Sequence, residues 1–348
     1  MEKRPIEVPL LKDEDFANLL PPNLLYPGLA GLFGHYSRTY LKQLIGKMNS
    51  YTWFRFVEAE SKSLIFKKMA TRVLYRMLRR ADVDCYLAGN ENGYLHGGRA
   101  VGLTSLGVNY KMINEDGAGI FDRGNELVLV VCDGVGDCLV GEVASYVIME
   151  AFRNYEEKQP AEIFALCVDQ LINLGVELTK EIPEFITFPN EVSQAAVTAV
   201  KIEDNQCEIS QVGDVIFYHH REGELRLLDQ NRRWLDLEQL DKLFADENYL
   251  AQRHIISNAV GRNYDPDWLP SYLTLKPGDT IVLASDGLET LHPVEVQDIL
   301  NRNVSIKETA DHFYRRVIEA NLRWNTVGSP IYTKPDNISL VIYRHEPG

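Results

Sequence analysis

The sequence predicts an α+β protein built from layered, mainly antiparallel sheets. Two observations carry this. Short strand-like apolar runs come in blocks, and helical patterns come in pairs between those blocks, instead of alternating one strand with one helix. A third concerns function: short acidic signatures, Asn114-Glu115-Asp116-Gly117, Asp133-Gly134, Asp286-Gly287 and Asp336-Asn337, each adjoin an apolar run.

Residues 1–24 are polar and punctuated by proline, and Pro21-Pro22 with Pro27-Gly28 mark irregular connections. From about Tyr36 to Arg80 the pattern is helical. Ile65, Met69, Val73 and Met77 recur every four residues, with Phe66, Ala70, Leu74 and Leu78 in a parallel row and Lys67, Lys68, Arg72, Arg76, Arg79 and Arg80 interleaved. This is an amphipathic basic helix that docks on the acidic remainder with its charged face solvated, or alternatively meets a membrane surface or partner. Residues 86–98, with their glycines, read as a linker. The expected organisation is therefore a helical extension over 1–95, regulatory or docking, and a catalytic domain over 96–348.

Strands are expected at 102–109, 117–122, 126–133, 195–202, 206–212, 214–220, 224–228, 280–286 and 337–344. Helices are expected near 139–157, 160–180, 293–302 and 306–324, and the segment 229–270 is longer and more helical than a simple connection.

At 348 residues the chain has ample capacity for a core, and 45% hydrophobic with 25% charged residues is an ordinary globular composition. A net charge of −14 argues against a nucleic-acid-binding surface. The charge is uneven: residues 1–90 hold 14 Lys/Arg and 9 Asp/Glu, the remainder 22 and 41. Cys85, Cys132, Cys138, Cys167 and Cys207 form no Cys-x-x-Cys pair, which suits free thiols. The N-terminus has no apolar leader region and no run approaches a membrane span, so a cytoplasmic location is expected.

Arg123-Gly124-Asn125 is a hairpin turn, so Glu115 and Asp116 at the start of one strand return beside Asp133 at the end of the next. If 337–344 pairs antiparallel with 280–286, Asp336 lies beside Asp286 in the same way. Asp-Gly and Asp-Asn are common turn dipeptides, and any one alone would be only a turn. Together at strand ends, about four carboxylates facing one space would repel each other unless they hold divalent cations such as Mg²⁺ or Mn²⁺ through hard oxygen ligands.

From Gly102 to Arg344 the chain resembles the protein phosphatase 2C (PPM) family of metal-dependent serine/threonine phosphatases, with a bacterial-like pattern. The motifs occur in the family's order. Gly102-Leu-Thr-Ser-Leu-Gly107 through Asn114-Glu115-Asp116 comes first, then Val130-Val-Cys-Asp133-Gly-Val-Gly and Gln211-Val-Gly-Asp214. Lys276-Pro-Gly-Asp-Thr-Ile-Val-Leu-Ala-Ser-Asp286-Gly-Leu288 and Pro335-Asp336-Asn337-Ile338 complete the set. The resemblance implies a four-layer α-β-β-α sandwich of two mainly antiparallel sheets. It implies that Asp133 bridges two metals, with Glu115 and the Gly134 carbonyl completing one ligand set and Asp286 and Asp336 the other. A water held between the ions would attack phosphorus in phosphoserine or phosphothreonine of a protein substrate. Asp116 would orient a metal-bound water, and Lys111 stands where the family usually has a phosphate-binding Arg.

Three positions depart from the family. Val135 stands where eukaryotic members carry a His, Asp137 replaces a Gly, and Thr290 replaces an Asp that would join Asp214 at a third metal, so a third ion at Asp214 is expected to be weak or absent. The segment 229–270 falls where bacterial members carry a flap. His219-His220, in a strand with alternating faces, cannot both enter one site. Two other functional readings are a dinucleotide enzyme, for which Gly141 breaks the Gly-x-Gly-x-x-Gly spacing, and a phosphatase-like module that binds a phosphoprotein without turning it over. A narrower variant keeps the enzyme as a regulator of bacterial signalling, with residues 1–95 as a sensing or docking segment.

Overall fold

The computed structural model describes residues 85–88, 91–107, 114–135, 141–181, 193–253, 256, 258–261, 264–265, 270–323 and 332–346. The expected helical extension lies outside them as far as residue 84. No helix among the described residues is long and apolar enough to cross a membrane.

Two antiparallel sheets form the framework. The first has the order β1 (Tyr86–Leu87), β4 (Gly117–Asp122), β5 (Glu126–Gly134), β6 (Ala195–Glu203), β7 (Gln206–Val212) and β11 (Ser271–Thr274). The second has the order β10 (Trp234–Asp236), β9 (Glu224–Leu228), β8 (Ile216–Arg221), β12 (Thr280–Ala284), β13 (Ile338–Arg344), β3 (Ala100–Ser105) and β2 (Gly93–Gly97). Alternation across the pleat gives each central strand two buried faces. Leu129, Val131, Val200, Phe217, Leu283 and Val341 point between the sheets. Residues of alternate parity, including Val282, Leu340 and Ile342, join Phe313 and Val317 of a covering helix.

The helices supply the outer layers. α1 (Gly141–Asn154) packs on β4 and β5, and α2 (Pro160–Glu181) follows it, with Phe164 edge-on to Phe152 of α1. On the opposite side lie α3 (Leu237–Phe244), α5 (Pro293–Leu300) and α6 (Ile306–Leu322), with the short α4 (Glu247–Gln252) after α3. Ser305 caps α6 reciprocally with Glu308, and Asp236 does the same for α3 with Gln239, which fixes where both helices begin. The four layers run α, β, β, α, as the sequence leads one to expect.

The linker expected over 86–98 is a correction. Its residues form β1 and β2 on opposite sheets, pairing with β4 and β3 respectively, so the expected boundary at residue 95 falls inside a strand. Gly97 there serves close packing: a Cβ on it would lie 2.5 Å from Ile120 Cγ2 of the facing sheet. The strand expected over 214–220 begins at Ile216, because Gly213 turns the chain first with φ of 86°. The strands β10 and β11 carried too few residues to be read as elements.

At the start of β12 a buried ionic rivet ties that strand to β8. Asp279 accepts from Arg221 Nε at 2.8 Å, from Arg221 Nη2, and from the Lys276 N–H at 2.9 Å, while His219 Nε2 lies 3.1 Å away. Burial alone would raise the Asp279 pKa, but the Arg221 guanidinium and these other donors outweigh it and hold the carboxyl below its ordinary value. A depressed carboxylate pKa stabilises the fold above the unfolded-state value of about 4 and withdraws that support as pH falls through the folded value. D279N should therefore lower the melting temperature at pH 7 and lose less stability than wild type on acidification below about pH 4, as read by circular dichroism melts across that range.

Candidate metal centre

The β4–β5 hairpin places Gly117 opposite Cys132, so Glu115 and Asp116 arrive beside Asp133. The Gly134 N–H donates to the Glu115 carbonyl at 3.2 Å, fixing the two ends together. In the other sheet β12 and β13 pair antiparallel with Ala284 opposite Leu340, and the Ser285 N–H donates to the Ser339 carbonyl at 2.8 Å. Asp286, opening a 3₁₀ turn over Asp286–Thr290, and Asp336, just before β13, therefore emerge at one edge. The long-range pairing assumed from the sequence is the pairing observed.

Two hydrogen bonds then tie one acidic pair to the other across the sandwich. The Glu115 N–H donates to Asn337 Oδ1 at 3.0 Å, and the Ser285 hydroxyl donates to Asp116 Oδ2 at 2.6 Å. All four residues are buried, so each bond also spares a polar group the cost of lying unpaired, about 1–3 kcal/mol. Behind them the Ser145 hydroxyl of α1 donates to the Glu115 carbonyl at 2.6 Å, and Asn114 Nδ2 donates to Thr104 Oγ1 at 2.8 Å. These contacts hold the loops at the carboxylate edge with little freedom.

Lys334 is the unforeseen member of the site. Its Nζ forms an ion pair with Asp286 Oδ2. Thr290 grips its backbone twice: the Thr290 hydroxyl donates to the Lys334 carbonyl at 2.6 Å and accepts the Lys334 N–H at 3.1 Å. Burial pushes the Lys334 pKa below the ordinary lysine value, opposed by the carboxylates of Asp214, Asp133 and Asp336, in that order. One ammonium thus feels carboxylates from both sheets and from the turn after β7. A lone lysine in a polar turn has no periodic or motif signature, and the sequence offered no sign of it.

From the segment 229–270, Tyr249 and Arg253 reach the residues beside the site. Arg253, at the end of α4, donates to the Tyr332 carbonyl at 2.6 Å and lies 3.6 Å from Glu289 Oε2, whose other oxygen accepts from the Tyr249 hydroxyl at 3.0 Å. Tyr332 in turn packs against Phe244 of α3 and His292. Burial raises the Glu289 pKa to about 7 despite the nearby Arg253 charge.

The donors fit hard divalent cations: carboxylate oxygens at the mouths of buried strands, held by hydrogen bonds that leave them clustered. Among the described residues, however, no three His, Cys, Asp or Glu side chains close into a finished ligand group. Lys334 stands among the carboxylates instead. Glu115, Asp116, Asp133, Gly134, Asp214, Asp286 and Asp336 are brought to one region; Lys111 and Asp137 lie outside the described residues. Val135 is half-buried and donates its N–H to the Gln194 carbonyl at 3.0 Å. His219 and His220 go to separate partners, Asp279 and Asn301. Cys132, Cys167 and Cys207 are buried thiols whose pKa values burial pushes up, that of Cys167 to about 12, so none of the three is a ready nucleophile.

No protein-family model matches the chain. It is 25% identical over 237 residues to the serine/threonine phosphatase stp of Listeria welshimeri, covering 66% of this chain and 89% of that protein. Its fold matches the solved serine/threonine phosphatase of S. agalactiae with a TM-score of 0.53 at 18% identity, covering 71% of this chain and 99% of that one. The Mycobacterium tuberculosis serine/threonine phosphatase PstP/Ppp gives a TM-score of 0.52 at 18% identity, covering 72% and 99%. The relatives and the shared fold support the protein phosphatase 2C (PPM) assignment that the motifs carry.

Gly287 sets how closely the two strands of the second pair approach. A Cβ there would lie 2.0 Å from the Asn337 carbonyl oxygen, which is backbone and cannot swing aside. G287A should cost about 1–3 kcal/mol of stability, as overpacking a rigid contact does, read as a lower urea midpoint with an unchanged slope.

Proposed function

We propose that this chain is a protein serine/threonine phosphatase that hydrolyses phosphoserine and phosphothreonine with two Mn²⁺ or Mg²⁺ ions. The observation that carries the reading is the pair of cross-sheet hydrogen bonds, which fasten Glu115 to Asn337 and Asp116 to Ser285 and so gather carboxylates from both sheets. The named phosphatase relatives support the reaction class. In this reading Asp133 would contribute to holding both ions, with Glu115 and the Gly134 carbonyl on one side and Asp286 and Asp336 on the other. When bound, two such ions lower the pKa of water, neutralise phosphoryl oxygens and align an in-line displacement.

The remaining work falls to this chain's own groups. Asp116, fixed by accepting from Ser285, is proposed to orient water in the site. Lys111 is proposed to attract the phosphate as a point charge, without the two-pronged grip of an Arg. No side-chain nucleophile is required. The substrate is proposed to be a phosphoprotein, and the N-terminal basic helix to dock on this domain or a partner. Asp214 is proposed to hold no third ion strongly.

A second reading has one observation in its favour. Lys334 relieves the repulsion among the carboxylates without any metal, so the cluster could persist in a module that only binds a phosphoprotein. Turnover separates the two. With millimolar-scale Mn²⁺ the wild type should hydrolyse a phosphothreonine peptide and an aryl phosphate, and chelator should abolish both. D133N, verified as folded, should lose about two orders of magnitude or more in rate, the scale of removing one preorganised charge-stabilising group. Wild type that stays inert under these conditions while still binding phosphopeptide would establish the module instead.

A further inference from the structure

We propose that Lys334 is a built-in counter-cation that competes with a divalent ion for Asp286, so that ion entry on that side requires the ammonium to leave. The proposal rests on the two-ion reading above and extends it to a residue that reading does not use. Three features of the structure carry it.

The first is position. The ammonium is paired with Asp286, which the two-ion reading makes a ligand of the second ion, and the carboxylates of Asp214, Asp133 and Asp336 also act on its charge. A unit positive charge in that space meets the same carboxylates a divalent ion would need. Charges a few ångströms apart interact strongly at the edge of a buried core, and one lysine and one divalent ion cannot both take the full field of Asp286.

The second is constraint. Lys334 is not a long surface side chain that wandered inward. Thr290 holds its peptide from both sides, and the preceding Tyr332 carbonyl is held by Arg253. With backbone and neighbours fixed, the stem enters the site from a set direction. Thr290, which replaces a potential acidic ligand, thereby serves to position the lysine.

The third is energetic. An ammonium is buried only when compensated, and several carboxylates buried together are repelled unless a cation lies among them. Each side of the pair supplies what the other lacks. Removing the Lys334 charge takes from Asp286 its ion-pair partner, and that raises the appetite of this carboxylate for a metal ion.

The test uses the full chain, stripped with chelator, in three variants: K334M, which keeps the stem and removes the charge, K334A, and K334R, which keeps the charge. Mn²⁺ titration by calorimetry gives affinity, and native mass spectrometry gives stoichiometry. Wild type should bind one ion more weakly than the other. K334M and K334A should tighten the weaker site by roughly tenfold or more, on the scale by which neighbouring groups tune metal affinity, while K334R stays like wild type. Without metal, K334M should melt below wild type and gain more from added Mn²⁺. Ion affinities and stoichiometry equal in wild type and a folded K334M would overturn the competition and leave the two-ion reading standing. No Mn²⁺ binding by either protein would remove the two-ion reading and this proposal together.

Discussion

Everything at the candidate centre depends on two hydrogen bonds that cross between the sheets, Asn337 to the Glu115 backbone and Ser285 to the Asp116 carboxylate. A sandwich of apolar faces is held by a force without direction, and its two sheets can slide by a residue at modest cost. Hydrogen bonds are directional and fail within a few tenths of an ångström. Buried at the edge of the interface, these two turn a greasy contact into a register and convert four scattered carboxylates into one cluster. Each joins an acidic residue, Glu115 or Asp116, to a residue directly beside another, Asn337 or Ser285, so the same short motifs supply both the charge and the means of aligning it.

Much of this was legible in the chain. Asp133 and Asp286 stand where a nine- and a five-residue apolar strand end, and an Asp-Gly at such a place declares both a turn and a carboxylate at the sheet edge. The Arg123-Gly124-Asn125 turn fixed the first pairing by local geometry, whereas the pairing of β12 with β13 spans some fifty residues and could only be assumed. What escaped had no local signal. The strand β1 has only two residues and β2 begins and ends on glycine, and their existence depends on the partner strands they lean against. Lys334 escaped for a related reason: its burial is decided by Thr290, Arg253 and Asp286, each distant in sequence.

The departures from the family pattern also become interpretable together. Thr290 looked like the loss of a ligand; in the structure its hydroxyl is spent on the Lys334 peptide. The long segment 229–270 is anchored through Arg253 to Tyr332, two residues from the same lysine, while Glu289 joins Arg253 to Tyr249. Two apparently separate oddities of the sequence, Thr290 and the long segment, thus meet around one side chain.

The ion pair between Lys334 and Asp286 bears on how the protein is made. In many small metalloproteins the ligand charges cannot be assembled until the metal arrives, so folding waits on supply. Here a charge encoded in the chain itself is present from synthesis onward, and the acidic edge can close around it. If the proposed competition holds, maturation is separated from metal availability: the polypeptide would reach its native topology first and acquire its inorganic partners afterwards.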